Sequence, residues 1–454
     1  MARIHLDKST VDGSTLKTTV RPSREVTQFF SGSPLEVTYE ATSLEGVPES
    51  IRCLPALSQV APVAWATGAD IYVESVDATF VRGLEEVKAN MLEMYPFLEG
   101  GDLYAQEVVE TGQLNDTDGD EPVGTNETDP GRDRSRAGLL FTGGVDSTCS
   151  YVRHREEAPT LISVRGWTIS PDPSADDQWE HLRTRTSEFA AERDLETAFI
   201  AANMLSFLDH PMLLAHFKRY VDGGWYSSVG HGLGLLGLCA PLAFSRGLEN
   251  LYMAATHWEG IDLEWGSRPD IDDHVRWAGT RCHHDGYELT RQERLDLIAE
   301  YVDRECPDLT LQTCNVRMDG NCGDCEKCYR TAVGLRLAGL EPSEHGYPFD
   351  DSSYADIRDG LESGRWILGD DERYMWEDIR ERGSETDSDS PAERKFFRWL
   401  EGADLTEIVD NSGSPIHHRL LRAGARNAPH SVYTTLYPAW NVAKTRYRRL
   451  TSSR

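Results

Sequence analysis

The chain has 454 residues, 39 % of them apolar, which is enough for two or three domains with sizeable cores. Its formal net charge is −30, from 76 acidic against 46 basic residues, and only seven of the basic residues are Lys. That balance excludes a chain that coats nucleic acid through its whole surface, and it suits a halophilic protein whose carboxylates keep it hydrated in a high-salt cytoplasm.

No run of 18 apolar residues occurs, so no membrane span is expected. The first residues, Met-Ala-Arg-Ile-His-Leu-Asp-Lys, lack the apolar stretch of a signal peptide. The nine cysteines are odd in number and four stand within 15 residues. This fits a reducing compartment with a metal site better than a disulfide framework, and makes a cytoplasmic protein the expectation.

Residues 1–111 read as a small α+β domain. Alternation over 35–39 and 70–73 predicts strands, and 78–94 predicts a helix. Residues 112–136 are nearly devoid of apolar side chains and rich in turn formers, as in a flexible acidic linker. Residues 137–345 then alternate predicted strands (139–141, 161–164, 198–201, 251–255 and 309–312) with predicted helices (146–155, 176–193, 232–246 and 291–304). Such alternation implies βαβ crossovers and an α/β, doubly wound parallel sheet whose ligands sit at the carboxyl ends of the strands.

The first of these strands runs into Thr142-Gly143-Gly144-Val145-Asp146-Ser147. Glycines without Cβ let backbone N–H groups approach an anion, Thr142 and Ser147 add hydroxyls, and the following helix aims its positive end at the same space. It is not a Walker A loop, because Val145-Asp146 stands where Lys-Ser/Thr would be required.

These six residues resemble the SGGxDS signature of the PP-loop (N-type) ATP pyrophosphatases, with Thr142 in place of Ser. The resemblance implies a HUP-like parallel sheet of about five strands, with ATP and Mg²⁺ as cofactors. It places pyrophosphate on 142–147, with Asp146 and Ser147 as the catalytic candidates; Asp146 would fix the loop as an N-cap or hold Mg²⁺. It also puts adenine against backbone groups of Arg165-Gly166, at the end of the second strand.

Cys314, Cys322, Cys325 and Cys328 follow the pattern C-x7-C-x2-C-x2-C. Four thiolates closing a tetrahedron select a structural Zn²⁺, with an iron–sulfur cluster as the rival. A PP-loop followed by this spacing is similar to the 7-cyano-7-deazaguanine synthase family over 137–340. That family adenylates a carboxylate and converts it with ammonia to a nitrile. The implied reaction is adenylation of a small-molecule carboxylate or carbonyl oxygen with release of pyrophosphate. AMP is then displaced by ammonia from a donor, or by another nucleophile. A tRNA-modifying PP-loop enzyme, or a nucleotide-binding regulatory or defence-complex subunit, is the alternative.

His231 at a helix start, His257 after the 251–255 strand and Arg268 in a loop are substrate candidates. His283-His284 diverge as neighbours and make a poor second metal site, while Cys149 reads as a buried helix thiol. Gly232, Gly234 and Gly237 predict close helix–sheet packing. Residues 346–454 read as mainly helical. Beyond Asp410 there is no acidic residue, and the basic tail offers an RNA contact or docks on the protein's own acidic surface or on a partner subunit.

Overall fold

The computed structural model describes residues 1–112, 136–221, 223–384 and 390–412, with a few positions between 429 and 436. The linker expected at 112–136 and the basic tail lie almost wholly outside the described residues.

The N-terminal segment holds β1 (Arg3–Leu6), β2 (Thr10–Asp12), β3 (Thr15–Thr18), β4 (Val20–Pro22), β5 (Leu35–Tyr39), α1 (Glu49–Arg52), α2 (Leu54–Thr67), β6 (Asp70–Asp77), α3 (Ala78–Met94) and β7 (Leu103–Val109). The central segment runs β8 (Ala137–Leu140), α4 (Val145–His154), β9 (Thr160–Arg165), α5 (Asp176–Ala191), β10 (Thr197–Ala202), α6 (Met204–Phe207), α7 (His210–Phe217), α8 (His231–Arg246), β11 (Asn250–Ala254), α9 (Pro269–Asp272), β12 (Arg276–Trp277), β13 (Thr280–Asp285), α10 (Arg291–Arg304) and α11 (Glu326–Leu337). Four further helices follow: α12 (Ser353–Glu362), α13 (Asp370–Ser384), α14 (Pro391–Gly402) and α15 (Leu405–Asn411).

The fold is α/β with two sheets. The larger has nine strands in the order β12-β13-β11-β8-β9-β10-β5-β3-β2, so the expected sheet of about five strands is too small. Its centre is a parallel set of five, β13-β11-β8-β9-β10. The strand expected at 309–312 does not form. The fifth parallel strand is β13, which the polar run Arg281-Cys282-His283-His284-Asp285 disguises as a loop. Its polar side chains are absorbed by neighbours: His283 Nε2 meets Asn250 Oδ1 at 2.9 Å, and Asp285 takes Ser150, Arg153 and His154.

Residues 1–111 are α+β in content, yet β5, β3 and β2 extend the central sheet in antiparallel fashion. β4, β1, β6 and β7 make the second sheet. One apolar core joins the two segments, with Leu57 and Val60 of α2 and Leu236 and Leu238 of α8 all buried in it. The α8 glycines therefore serve helix–helix contact rather than the expected helix–sheet contact. A Cβ at Gly237 would lie 2.0 Å from Ser58 Oγ, and Gly234 O accepts from Gln59 Nε2 at 2.9 Å. The run Tyr226–Arg246 is long and apolar enough to cross a bilayer, but 89 % of its most apolar stretch is buried inside the protein. α10 starts on a capping box, Thr290 with Glu293, which fixes the arginines of its first turn. The helices α11–α15 share a third core around Trp376, Phe396 and Leu400.

Candidate functional site

β8 delivers the chain into the loop at the carboxyl edge of the parallel set. Phe141 is buried beneath it, its N–H donating to Ile162 O at 2.8 Å. Gly143 adopts φ +74°, a conformation that L side chains rarely take, and its carbonyl accepts from Gln312 N–H at 2.8 Å. Ser147 Oγ closes the turn, accepting from Thr142 N–H at 3.3 Å. Among the described residues, nothing accepts from the N–H groups of Gly143, Gly144, Val145, Asp146 or Ser147. The start of α4 thus presents a row of free donors.

Asp146 is not the N-cap; Gly144 holds that place, without a side-chain cap. Asp146 stands in the first turn and accepts from Arg291 (2.9 Å to each oxygen) and Arg294 (2.8 Å). Burial opposes its ionisation, but the two guanidinium groups outweigh burial and hold the carboxyl below its usual range. Arg294 is 1 % exposed and also donates to the carbonyls of Ala255, Thr256, His257 and Gly286. It ties the strand ends of β11 and β13 to α4.

In front of the loop lies a cavity of about 660 Å³, within the range of small-molecule sites. Loop residues Thr142, Gly144, Val145, Asp146 and Ser147 line one end. Two cations stand there without a carboxylate partner among the described residues. Arg185 reaches over the loop, donating to Thr142 O (3.3 Å) and Met318 O (3.2 Å), and its buried Nε has no acceptor. Lys327 lines the same space. Burial lowers the pKa of both, as expected of cations short of a counter-charge. Arg291 and Arg330 line the cavity too, but are paired with Asp146 and Glu326.

His231, Trp265, Asp371 and Glu372 line the cavity too, and the buried Arg330 feels the charge of both acids. His231 is 5 % exposed, its Nδ1 has no partner, and burial, followed by His284 and His257, pushes its pKa down to about 3. Its ring lies 4.2 Å from that of Trp167. His257 is not among the lining residues; it packs behind Trp265 with ring centroids 5.0 Å apart, and burial lowers its pKa to about 4.

Three more expected contacts, Arg165, Gly166 and Arg268, are not brought to the cavity. Gly166 N–H is already donated to Ile169 O at 3.0 Å, and the Arg165 guanidinium is used by Ser170 O, Asp172 O and Asp176. The neighbouring Trp167, Thr168 and Ile169 line the cavity instead. Arg268 pairs with Asp270 at 3.2 Å and donates to Leu263 O, away from the lining. Cys149 is a core thiol, pushed up to about 12 by burial.

Cys314, Cys322, Cys325 and Cys328 come together with all sulfurs within 4.8 Å of one another, and could hold a metal such as zinc. Asn321 organises the loop, its Oδ1 accepting from the N–H groups of Thr313 and Cys314. Cys314 also lines the cavity, and Gln312, two residues earlier, is the residue that grips Gly143. Sequence reasoning missed Arg185, Arg291, Arg294, Asp371 and Glu372. Lys327, set between Cys325 and Cys328, was the one with a visible signal. No family model matches the chain, and neither a curated protein nor a solved structure matches it.

Proposed function

We propose that the cavity binds ATP with its β and γ phosphates on 142–147, and transfers AMP to a carboxylate or carbonyl oxygen of a second substrate. Ammonia or another nucleophile then displaces AMP. The reading carries with it a HUP-like arrangement of the five parallel strands and a PP-loop relationship. The observation that carries it is the convergence, among the described residues, of five N–H groups without an acceptor with Arg185 and Lys327, two cations without a paired carboxylate, at one end of a ligand-sized cavity. A polyphosphate supplies the missing charge and acceptors. Mg²⁺ enters with the nucleotide and neutralises its oxygens.

The metal is zinc in this reading. Sulfurs on a tetrahedron with Zn–S of about 2.3 Å lie about 3.8 Å apart, and Cys322 Sγ to Cys328 Sγ is 3.8 Å. Its role is structural: it fixes the loop that holds Gly143 and the helix that carries Lys327.

The test is Gly144→Asp. A Cβ there meets only ordinary contacts, at 3.5 Å from Gln312 O, so the fold and the zinc are expected to survive. The added carboxylate faces the phosphates. Pyrophosphate release is expected to fall at least a thousandfold, and wild-type turnover in this variant, or ADP as the product, overturns the proposal.

A further inference from the structure

The smaller sheet has the order β4-β1-β6-β7, so β4 and β7 are its edges. β4 is three residues long and ends in Pro22, and the edges of the larger sheet, β2 and β12, have three and two residues. Short strands and proline close an edge to other chains. β7 has neither protection. It runs seven residues without proline, and among the described residues only β6 pairs with it. Its Tyr104 and Val108 are 48 % and 56 % exposed.

The ladder determines which backbone groups are left over. Ile71 N–H donates to Asp102 O, so the even-numbered residues of β7 turn their backbone groups toward β6. The N–H and C=O groups of Leu103, Ala105, Glu107 and Val109 therefore point outward. The side chains of Tyr104, Gln106 and Val108 share the open face. There Tyr104 stacks on Tyr72 at 5.1 Å and Tyr72 on His5 at 4.7 Å, beside a groove of about 460 Å³. From Gln106 outward the strand is nearly palindromic, with apolar side chains at 103 and 109 and at 104 and 108.

We infer that β7 docks a second copy of this chain, paired antiparallel about a twofold axis at Gln106. In that register Leu103 meets the partner's Val109 and Ala105 meets the partner's Glu107. All four present outward backbone groups, so these pairs exchange hydrogen bonds. Tyr104 meets the partner's Val108 on each side of the axis, an aromatic–β-branched pair of the kind that stabilises sheets. Gln106 meets its own copy, and an amide supplies both donor and acceptor. A one-residue slip is excluded, since it sets outward groups against inward ones. Centring on Glu107 opposes two like charges, and centring on Ala105 sets Val108 against the partner's Asp102.

Charge at the ends is compatible with this register. Asp102 faces the partner's Glu110, but each acid is already held by a cation of α3, Lys88 on Asp102 at 3.0 Å and Arg82 on Glu110 at 2.9 Å. Seven residues a side make an interface under about 1,200 Å², the size of weak and reversible contacts. Two chains of net charge −30 repel, so association strengthens as salt screens that repulsion. The inference is independent of the ATP reading.

Sedimentation velocity of the full chain over a concentration series, at low and at multimolar salt, is expected to show a monomer–dimer equilibrium that tightens with salt. Val108→Asp, at an exposed side chain, is expected to raise the dimer Kd about tenfold or more, while Val11→Asp on the β2 edge leaves it within about twofold. Oxidation tests the register. Opposed residues of a non-hydrogen-bonded pair have Cα atoms about 4.5 Å apart, within disulfide reach. Gln106→Cys is therefore expected to cross-link to its own copy, with the linked peptide identified by mass spectrometry. Tyr104→Cys is expected to cross-link with Val108→Cys when the two are mixed, and not with itself, because its copy lies about 13 Å along the strand. A wild type that stays monomeric up to about 1 mM overturns the inference. So does a dimer that weakens with salt, as a clasp between acidic and basic surfaces would, a dimer that Val108→Asp leaves unchanged, or a Gln106→Cys chain that does not cross-link to itself.

Discussion

Two loops leave adjacent parallel strands of the central sheet at the same edge, and they end differently. Among the described residues, the loop after β8 keeps five N–H groups without an acceptor, and the guanidinium above it, Arg185, has no carboxylate. The loop after β9 uses its polar groups internally: Gly166 N–H goes to Ile169 O, and Arg165 goes to two carbonyls and Asp176. Both contain a glycine of positive φ at the strand exit, +74° at Gly143 and +138° at Gly166. Place in the sheet is therefore not what makes a site. What distinguishes the first loop is that its order is supplied from outside, by Gln312, Arg291 and Arg294, so its own donors remain free.

The comparison breaks most severely if that outside support is removed. Arg294→Met strips a buried guanidinium from four carbonyls and leaves Asp146 with Arg291 as its remaining partner. Leaving buried acceptors without a donor costs about 1–3 kcal/mol for each group that water does not reach. Chemical denaturation is expected to show a loss of that size, and a loss below about 1 kcal/mol would mean the loop orders itself. Metal removal comes next. Gln312 is tied to the cysteine loop through Arg317 O and Gly320 O. Chelation, or Cys322→Ser, is expected to loosen its grip on Gly143 and raise the ATP Kd about a hundredfold, about 2.7 kcal/mol. Calorimetry before and after zinc is restored checks this.

A pair of arginine variants sharpens the contrast directly. Arg185→Met leaves no carboxylate behind, so stability is expected to hold while the ATP Kd rises about tenfold, about 1.4 kcal/mol. Arg165→Met does the reverse. It releases the 170–176 turn, costs about 1–2 kcal/mol of stability, and leaves the ATP Kd within about twofold. If both variants lowered affinity and stability together, the two loops would not be functionally distinct.

Periodicity made the alternation of strands and helices legible, and α10 begins and ends where its pattern predicts. The turn at 142–147 that opens α4 and the cluster of four cysteines were legible because their residues lie close in sequence. β13 was not, since its polar residues find partners on α4 and β11 that no local pattern announces. The cavity cations were hidden for the same reason. Arg185 lies 43 residues from the carbonyl it reaches, and Arg291 lies 145 from Asp146. The 309–312 run is apolar like a strand, yet its N–H groups go to His345 O and Gly143 O, so it serves as a clasp.

The smallest predicted effect concerns His231 in the cavity lining, where stability and pH are linked. His231 has a folded pKa of about 3 against 6.5 for the free side chain. A base whose folded pKa is depressed stays neutral in the fold while the unfolded chain takes up a proton. Its contribution is therefore full above pH 6.5 and is lost as pH falls toward 3. Between pH 6.5 and 5.5 that loss is about 1 kcal/mol for one such histidine. Glu372 works in the opposite sense. Raised to about 8, it keeps its proton in the fold, so its contribution is lost as pH rises from 4.5 to 8. His231→Gln removes the first dependence and not the second. Denaturation of wild type and variant at pH 6.5 and 5.5 is expected to show the acid loss shrinking by about 1 kcal/mol in the variant. An unchanged acid loss would mean that His231 gains its proton in the folded protein, and that the cavity lining there presents a cation instead of an acceptor.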